Sequence, residues 1–137
     1  MFVERLKPTK TKFKHDRSLT VGASEIGACA RQTWFRKNGI AEERETGWGY
    51  GERGLNVEDW LFANLRANGV RFRERQTNIP IGHLSATLDS VRGKVLMDCK
   101  SFDPYKKNVV EPKHITQVQV QLGLWNEKRP KSKLERG

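Results

Sequence analysis

The chain has few cysteines, no long apolar run and a shortage of acidic charge. Among 137 residues only Cys29 and Cys99 are cysteines, so it can build neither a disulfide framework nor a four-cysteine metal site. A reducing, cytoplasmic setting is the expectation. No apolar stretch approaches the roughly 20 residues that cross a bilayer. The opening MFVERLKPTKTKFKHDRS lacks the apolar centre of a secretion signal, and no membrane partner is expected. The three histidines, His15, His83 and His114, show no H-x-x-x-H or H-x-H spacing, which leaves zinc chemistry without support. His83 is expected in a turn after Pro80–Ile81–Gly82, and His114 either caps a helix or touches phosphate. Against 16 acidic residues stand 26 Lys and Arg, a formal net charge of +10. With 36% hydrophobic and 31% charged residues the chain reads as one globular domain. Its excess of positive charge points to a polyanionic partner, most simply nucleic acid.

Three parts can be marked out. Residues 1–17 form a basic arm, residues 18–127 the folded domain, and residues 128–137 a basic tail; both ends are expected to be loose. In ASEIGACARQTWFRKNG a helix is expected, with Ser24 as N-cap, Gly39 as its stop and Ile26, Ala30, Thr33 and Trp34 near one stripe. ETGWGYGERG reads as a glycine loop, where Trp48 could stack on an unpaired base. A second helix, GLNVEDWLFANLRANG, carries an apolar stripe of Val57, Trp60, Leu61 and Leu65 and ends at Gly69. VRFRERQTNIPI suggests one half-exposed strand, and HLSATLDS with KVLMDCKS a hairpin turning near residues 92–93. KHITQVQVQLGLWNEK has Ile115, Val118, Leu122 and Trp125 at helical spacing, although its Gln–Val alternation also suits a strand; helix is preferred. The order helix, helix, three strands, helix defines an α/β (α+β) domain with a mixed sheet of about three strands.

The hairpin carries the chemistry. Side chains alternate along a strand, so Asp98 and Lys100 share a face and Cys99 points away. Asp89 lies on the neighbouring strand about one step from Asp98, and a bulge or kink there would bring the two carboxylates together. Val95, Leu96 and Met97 mark the strand as largely buried, and lone charges are rarely tolerated in such places. Two buried carboxylates repel each other and lose hydration, and a hard divalent cation relieves both penalties. Glu58 sits at the border of the second helix's stripe and can face the sheet, whereas Asp59 is one position further round and exposed. The bland alternatives are an Asp98–Lys100 surface ion pair and a helix-flank charge at Glu58.

Four stretches in register, GASEIGACARQTWF, GERGLNVEDW, SATLDS with VLMDCKS, and TQVQVQLGLW, resemble the PD-(D/E)xK nuclease superfamily. Within it the likeness is to phage recombination exonucleases of the lambda-exonuclease/YqaJ type, relatives of the RecB nuclease domain, and it spans about residues 18 to 127. The resemblance implies a restriction-endonuclease-like core and a metal-dependent nuclease acting on DNA, an exonuclease of recombination or DNA processing in a bacterial or phage-infected cell. It implies that Glu58, Asp89, Asp98 and the backbone carbonyl of Cys99 bind Mg²⁺, with Mn²⁺ as a substitute. Lys100 would activate or position the water, and Gln117 would hold Lys100 or the scissile phosphate. Ser24, Arg31 and Gln121 would meet DNA. The chain departs from the pattern at Ser90, where glycine is usual, and at Asp98, where glutamate is. The iron–sulfur branch needs four cysteines, so no cluster is expected, and Cys29 is expected as a small buried residue. The family fold adds a strand after the third helix. KRPKSKLERG offers little to build one, so the core is expected to lack it or to be completed by a partner chain or a second copy. The alternative function is a DNA-binding module of the same fold without catalysis.

Overall fold

The computed structural model describes residues 16–40, 48–102, 105 and 110–137, with the backbone alone for 48–52. The basic arm therefore lies almost wholly outside the described residues, as does the first part of the glycine-rich segment. Among the described residues no helix is long and apolar enough to cross a membrane.

Two short sheets share one bent strand. In the first, β1 (Val21–Gly22) runs parallel to β3 (Leu84–Leu88), which pairs antiparallel with β2 (Thr77–Ile81). In the second, β4 (Ser90–Arg92) pairs antiparallel with β5 (Val95–Met97), Val91 facing Leu96. β3 and β4 are separated by Asp89 alone, so the expected first strand of the hairpin is kinked at the acidic residue. The expected single sheet is thus corrected to two, with Asp89 at the joint. Gly93 takes φ +57° in the tight turn, a conformation that costs glycine nothing. Gly82 and His83 form the turn between β2 and β3, as the sequence suggested.

Among the described residues three helices accompany the sheets: α1 (Ala30–Lys37), α2 (Trp48–Ala67) and α3 (Pro112–Lys128). Ser24 does not cap α1. It lies in a separate 3-10 turn, Ala23–Glu25, and Cys29 is the residue before the helix. The break follows Gly27, whose φ is +86°. Cys29 is exposed rather than buried. α2 begins at Trp48, so residues expected in a loop are helical, and the helix stops before Gly69 at φ +77°. Its stripe is also rotated. Trp60 is 66% exposed and Trp34 of α1 57%, while Phe62 and Glu58 are buried. α3 starts with Pro112 at its first position, a place where the missing N–H is harmless, and the Glu111 N–H donates to His114 Nδ1 at 3.1 Å. His114 is therefore a capping residue. α3 packs across β2, β3 and the Ala23–Glu25 turn. Ile79, Ala86, Leu88, Val91, Leu96, Leu124 and Trp125 form the core.

The C-terminal residues are docked, contrary to expectation. Leu134 is part of the core. The Leu96 N–H donates to the Arg136 carbonyl at 2.8 Å and the Glu135 N–H to the Lys94 carbonyl at 2.9 Å. Arg136 bridges Val95 in parallel sense. A single β-bridge at Arg136 thus lies against the outer edge of β5, although no strand forms there among the described residues. Trp125 Nε1–H secures the approach by donating to the Ser132 carbonyl at 2.6 Å.

Candidate active site

The strand expected over residues 70–81 is interrupted before β2. Glu74 and Gln76 have φ of +61° and +49°, left-handed values that non-glycine residues adopt at a cost of about 1–3 kcal/mol. The excursion is fixed from both sides. Arg73 and Val91 exchange two backbone bonds of 2.8 Å, and the Gln76 N–H donates to the Asp89 carbonyl at 3.3 Å. Ser90 Oγ donates to the Arg73 carbonyl at 2.8 Å. Glu74 accepts from Arg129 at 2.8 Å and from Thr77 Oγ1 at 3.1 Å, and the hydrogen bond from Arg129 leads in holding its carboxyl below the ordinary value. The result is a turn folded over the kink at Asp89.

Under this turn stands Glu58, 7% exposed. α2 presents it one helical turn before Phe62, whose ring lies 3.8 Å beneath the Arg75 guanidinium. Arg75 Nη1 donates to Glu58 Oε1 at 2.7 Å and to the Asp89 carbonyl at 3.0 Å, while Nη2 reaches the exposed Asp59 at 3.2 Å. Gln76 Nε2 lies between the two acids, 2.6 Å from Glu58 Oε1 and 3.4 Å from Asp89 Oδ1. The Cys99 N–H donates to Asp89 Oδ2 at 2.7 Å. Burial leads in raising the Asp89 carboxyl from 3.8 to about 6; the Cys99 N–H opposes the rise, the negative charges of Glu58 and Asp98 add to it, and Lys100 counters it. Asp89 therefore feels the charge of both other expected acids.

Asp98 follows the end of β5, its side chain 7% exposed, with Lys100 Nζ 2.6 Å from Oδ2. This is not the surface ion pair of the bland alternative. Asp98 Oδ1 accepts from Gln117 Nε2 at 3.0 Å and from Gln121 Nε2 at 3.2 Å. Both glutamines belong to one face of α3, four residues apart, as expected. Gln117 holds the acid rather than the lysine. Gln121 is corrected as a DNA contact: it is 0% exposed, and its amide is spent on Asp98 and on the Thr87 carbonyl at 3.1 Å. Ser24 and Arg31 are both exposed, and the Arg31 guanidinium lies 5.4 Å from the Phe35 ring. Neither is joined to the acids by a described contact. Arg75 and Gln76 escaped sequence reading. Their only signal is the polar run Arg73–Gln76, which interrupts the alternation between Phe72 and Ile79.

The donor set suits a hard cation in kind: three carboxylates and, one residue beyond Asp98, a backbone carbonyl at Cys99. Gln121 Oε1 is buried with no hydrogen-bond partner, an acceptor that a water carried by such an ion would satisfy. The arrangement is a different matter. Among the described residues no group of three or more His, Cys, Asp or Glu is placed so that it could hold a metal ion. Protein donors stand at the acids instead: Arg75 and Gln76 at Glu58, Lys100, Gln117 and Gln121 at Asp98. Comparison of the chain with protein-family models, curated proteins and solved structures found no match in any of the three.

Proposed function

We propose that the chain is a metal-dependent deoxyribonuclease of the PD-(D/E)xK type with a restriction-endonuclease-like core, cutting DNA phosphodiester bonds. The observation that carries the reading is the crowding of charge on Asp89, at the kink between β3 and β4: it shares the Gln76 amide with Glu58 of α2 and feels the charges of Glu58, Asp98 and Lys100. Acids that repel one another this way have a use where a cation and a phosphate are to be brought together. Glu58, Asp89 and Asp98, with the Cys99 carbonyl, would hold Mg²⁺ or Mn²⁺. Bound there, the ion would polarise the phosphoryl oxygens and lower the barrier to attack by water.

The chain's own groups divide the remaining work. Gln117 and Gln121 fix the rotamer of Asp98, and Asp98 in turn fixes Lys100, so the ammonium group is held at one place on the pocket rim. From there it orients the attacking water or steadies the charge that develops on the phosphate. The net charge of +10 raises the local concentration of DNA at the surface.

One observation favours a second reading. The acids, as placed, do not form a ready set of three ligands, which a DNA-binding module without catalysis would also show. Incubating linear and supercoiled DNA with the protein in Mg²⁺, in EDTA and with Lys100→Ala separates the two. Cleavage in Mg²⁺ alone, lost in EDTA and in the variant, supports the nuclease. Equal cutting by all three preparations, or binding by all without cutting, overturns it.

A further inference from the structure

Glu58 and Asp89 share a single amide group, that of Gln76. Gln76 Nε2 touches both, and Gln76 itself is exposed, so its side chain has solvent to swing into. An amide N–H₂ that bridges two carboxylates occupies the same place, and answers the same charge, as a cation bridging them. Meanwhile the backbone beneath it is held at a left-handed φ of +49° by the pairing of Arg73 with Val91 and by the Gln76 N–H bond to the Asp89 carbonyl. That strain aims the side chain at the acids; a residue in the extended conformation of a continuous strand would alternate with its neighbours along β2.

We propose that Gln76 is a positioning residue that stands in for the cation: it bridges Glu58 and Asp89 when no ion is bound and must be displaced for one to seat. The inference rests on the metal-dependent reading above. Displacement requires breaking a short charge-assisted hydrogen bond to Glu58 and a longer one to Asp89, so the amide lowers the apparent cation affinity by about tenfold, the cost expected of one such bond. Arg75 differs in kind. Its guanidinium is stacked on Phe62 and bonded to the Asp89 carbonyl, so it stays with the fold and sets where Glu58 points.

The test is titration of the full chain with Mn²⁺ alone, and separately Mg²⁺ alone, by calorimetry at pH 7.5. Gln76→Gly removes the amide and suits the positive φ, so the variant keeps the fold. Gln76→Asn, which also tolerates that conformation, has an amide too short to reach Glu58. Both are expected to bind cation about tenfold more tightly than the parent. Gln76→Lys places a permanent positive charge in the same spot and is expected to bind at least tenfold more weakly. A residue serving only the turn would not move affinity in opposite directions. If the parent binds and all three variants match it, or if removal of the amide weakens binding, the gate is overturned while the nuclease reading stands. If neither parent nor variants bind either cation, both fall together.

Discussion

Replacing Asp89 by asparagine should stabilise the metal-free protein at neutral pH, although it removes an acid at the heart of the site. Asp89 is pushed from 3.8 to about 6 by burial and by the charges of Glu58 and Asp98. That displacement amounts to about 3 kcal/mol at 1.36 kcal/mol for each pKa unit; Asp89 is only partly buried, so water screens part of it, leaving about 2 kcal/mol. The folded carboxyl holds its proton more tightly than the unfolded one. Its contribution is therefore fully present below about pH 4 and is lost as pH rises through about 6. Asparagine carries no such charge. Its Oδ1 can still accept from the Cys99 N–H, which Asp89 now does at 2.7 Å.

The assay is thermal or urea unfolding in EDTA from pH 4 to pH 8. The parent should lose stability between pH 4 and 6 and level off above, while Asp89→Asn should show a flatter profile. At pH 7.5 the variant should melt roughly 6–8 °C higher, taking about 3–4 °C for each kcal/mol in a domain of this size. Saturating Mg²⁺ should raise the melting temperature of the parent and leave the variant unmoved. A variant less stable than the parent at pH 7.5 would mean that Asp89 is an ordinary satisfied carboxylate and that the acids do not crowd one another.

Further outcomes follow from individual contacts. Lys100→Ala should reduce DNA cleavage at least a hundredfold while leaving DNA retention on a gel nearly unchanged, the loss expected for a group that aids proton transfer. Gln117→Ala leaves Asp98 with Gln121 as its remaining amide donor and should lower cleavage about tenfold in the same assay. Leu134→Ala should destabilise the fold by about 2–4 kcal/mol in urea unfolding; a change within about 0.5 kcal/mol, the usual size for a surface position, would show that the C-terminal residues are not docked on β5. Trp34→Ala and Trp60→Ala should each stay within that smaller range, because both rings are mostly exposed.

What the sequence made legible is what short-range chemistry decides. Gly39 and Gly69 end helices at φ +70° and +77°, Gly93 makes the hairpin turn, and α3 follows from its helical period despite the competing Gln–Val alternation. The inward aim of Glu58 was also readable from helical periodicity, whereas Asp98 and Lys100, expected on one face of a strand, lie just beyond the end of β5 and are joined there as an ion pair. The illegible parts depend on contacts distant in sequence. Val57 and Trp60 lie next to Leu61, Phe62 and Leu65 on α2, and only the turn at Arg75, packed on Phe62, decides which arc is covered. The break before β2 needs left-handed φ at Glu74 and Gln76, residues with no intrinsic preference for it, held there by Val91, Ser90 and Arg129. Leu134 is an isolated apolar residue in a basic run, and its burial becomes visible only once the edge of β5 is known to be free.

The three acids differ in how well their charge is matched, and the difference supports the proposed reading. In a structural network each buried carboxylate is matched by donors that hold its charged form. Glu58 has Arg75 and Gln76, and Asp98 has Lys100, Gln117 and Gln121. Asp89 has one short donor, the Cys99 N–H, and a 3.4 Å approach from Gln76, and its carboxyl is raised rather than lowered. An asparagine would serve the kink equally well, since the backbone bonds of Asp89 to Gln76 and Arg75 use its carbonyl. The charge at residue 89 therefore costs stability that the fold has no need to lose. On the proposed nuclease reading, an acid raised by burial and by the charges of Glu58 and Asp98 would serve chemistry on a phosphate. A surface that only grips DNA would do better without it, because each added negative charge repels the backbone it has to hold.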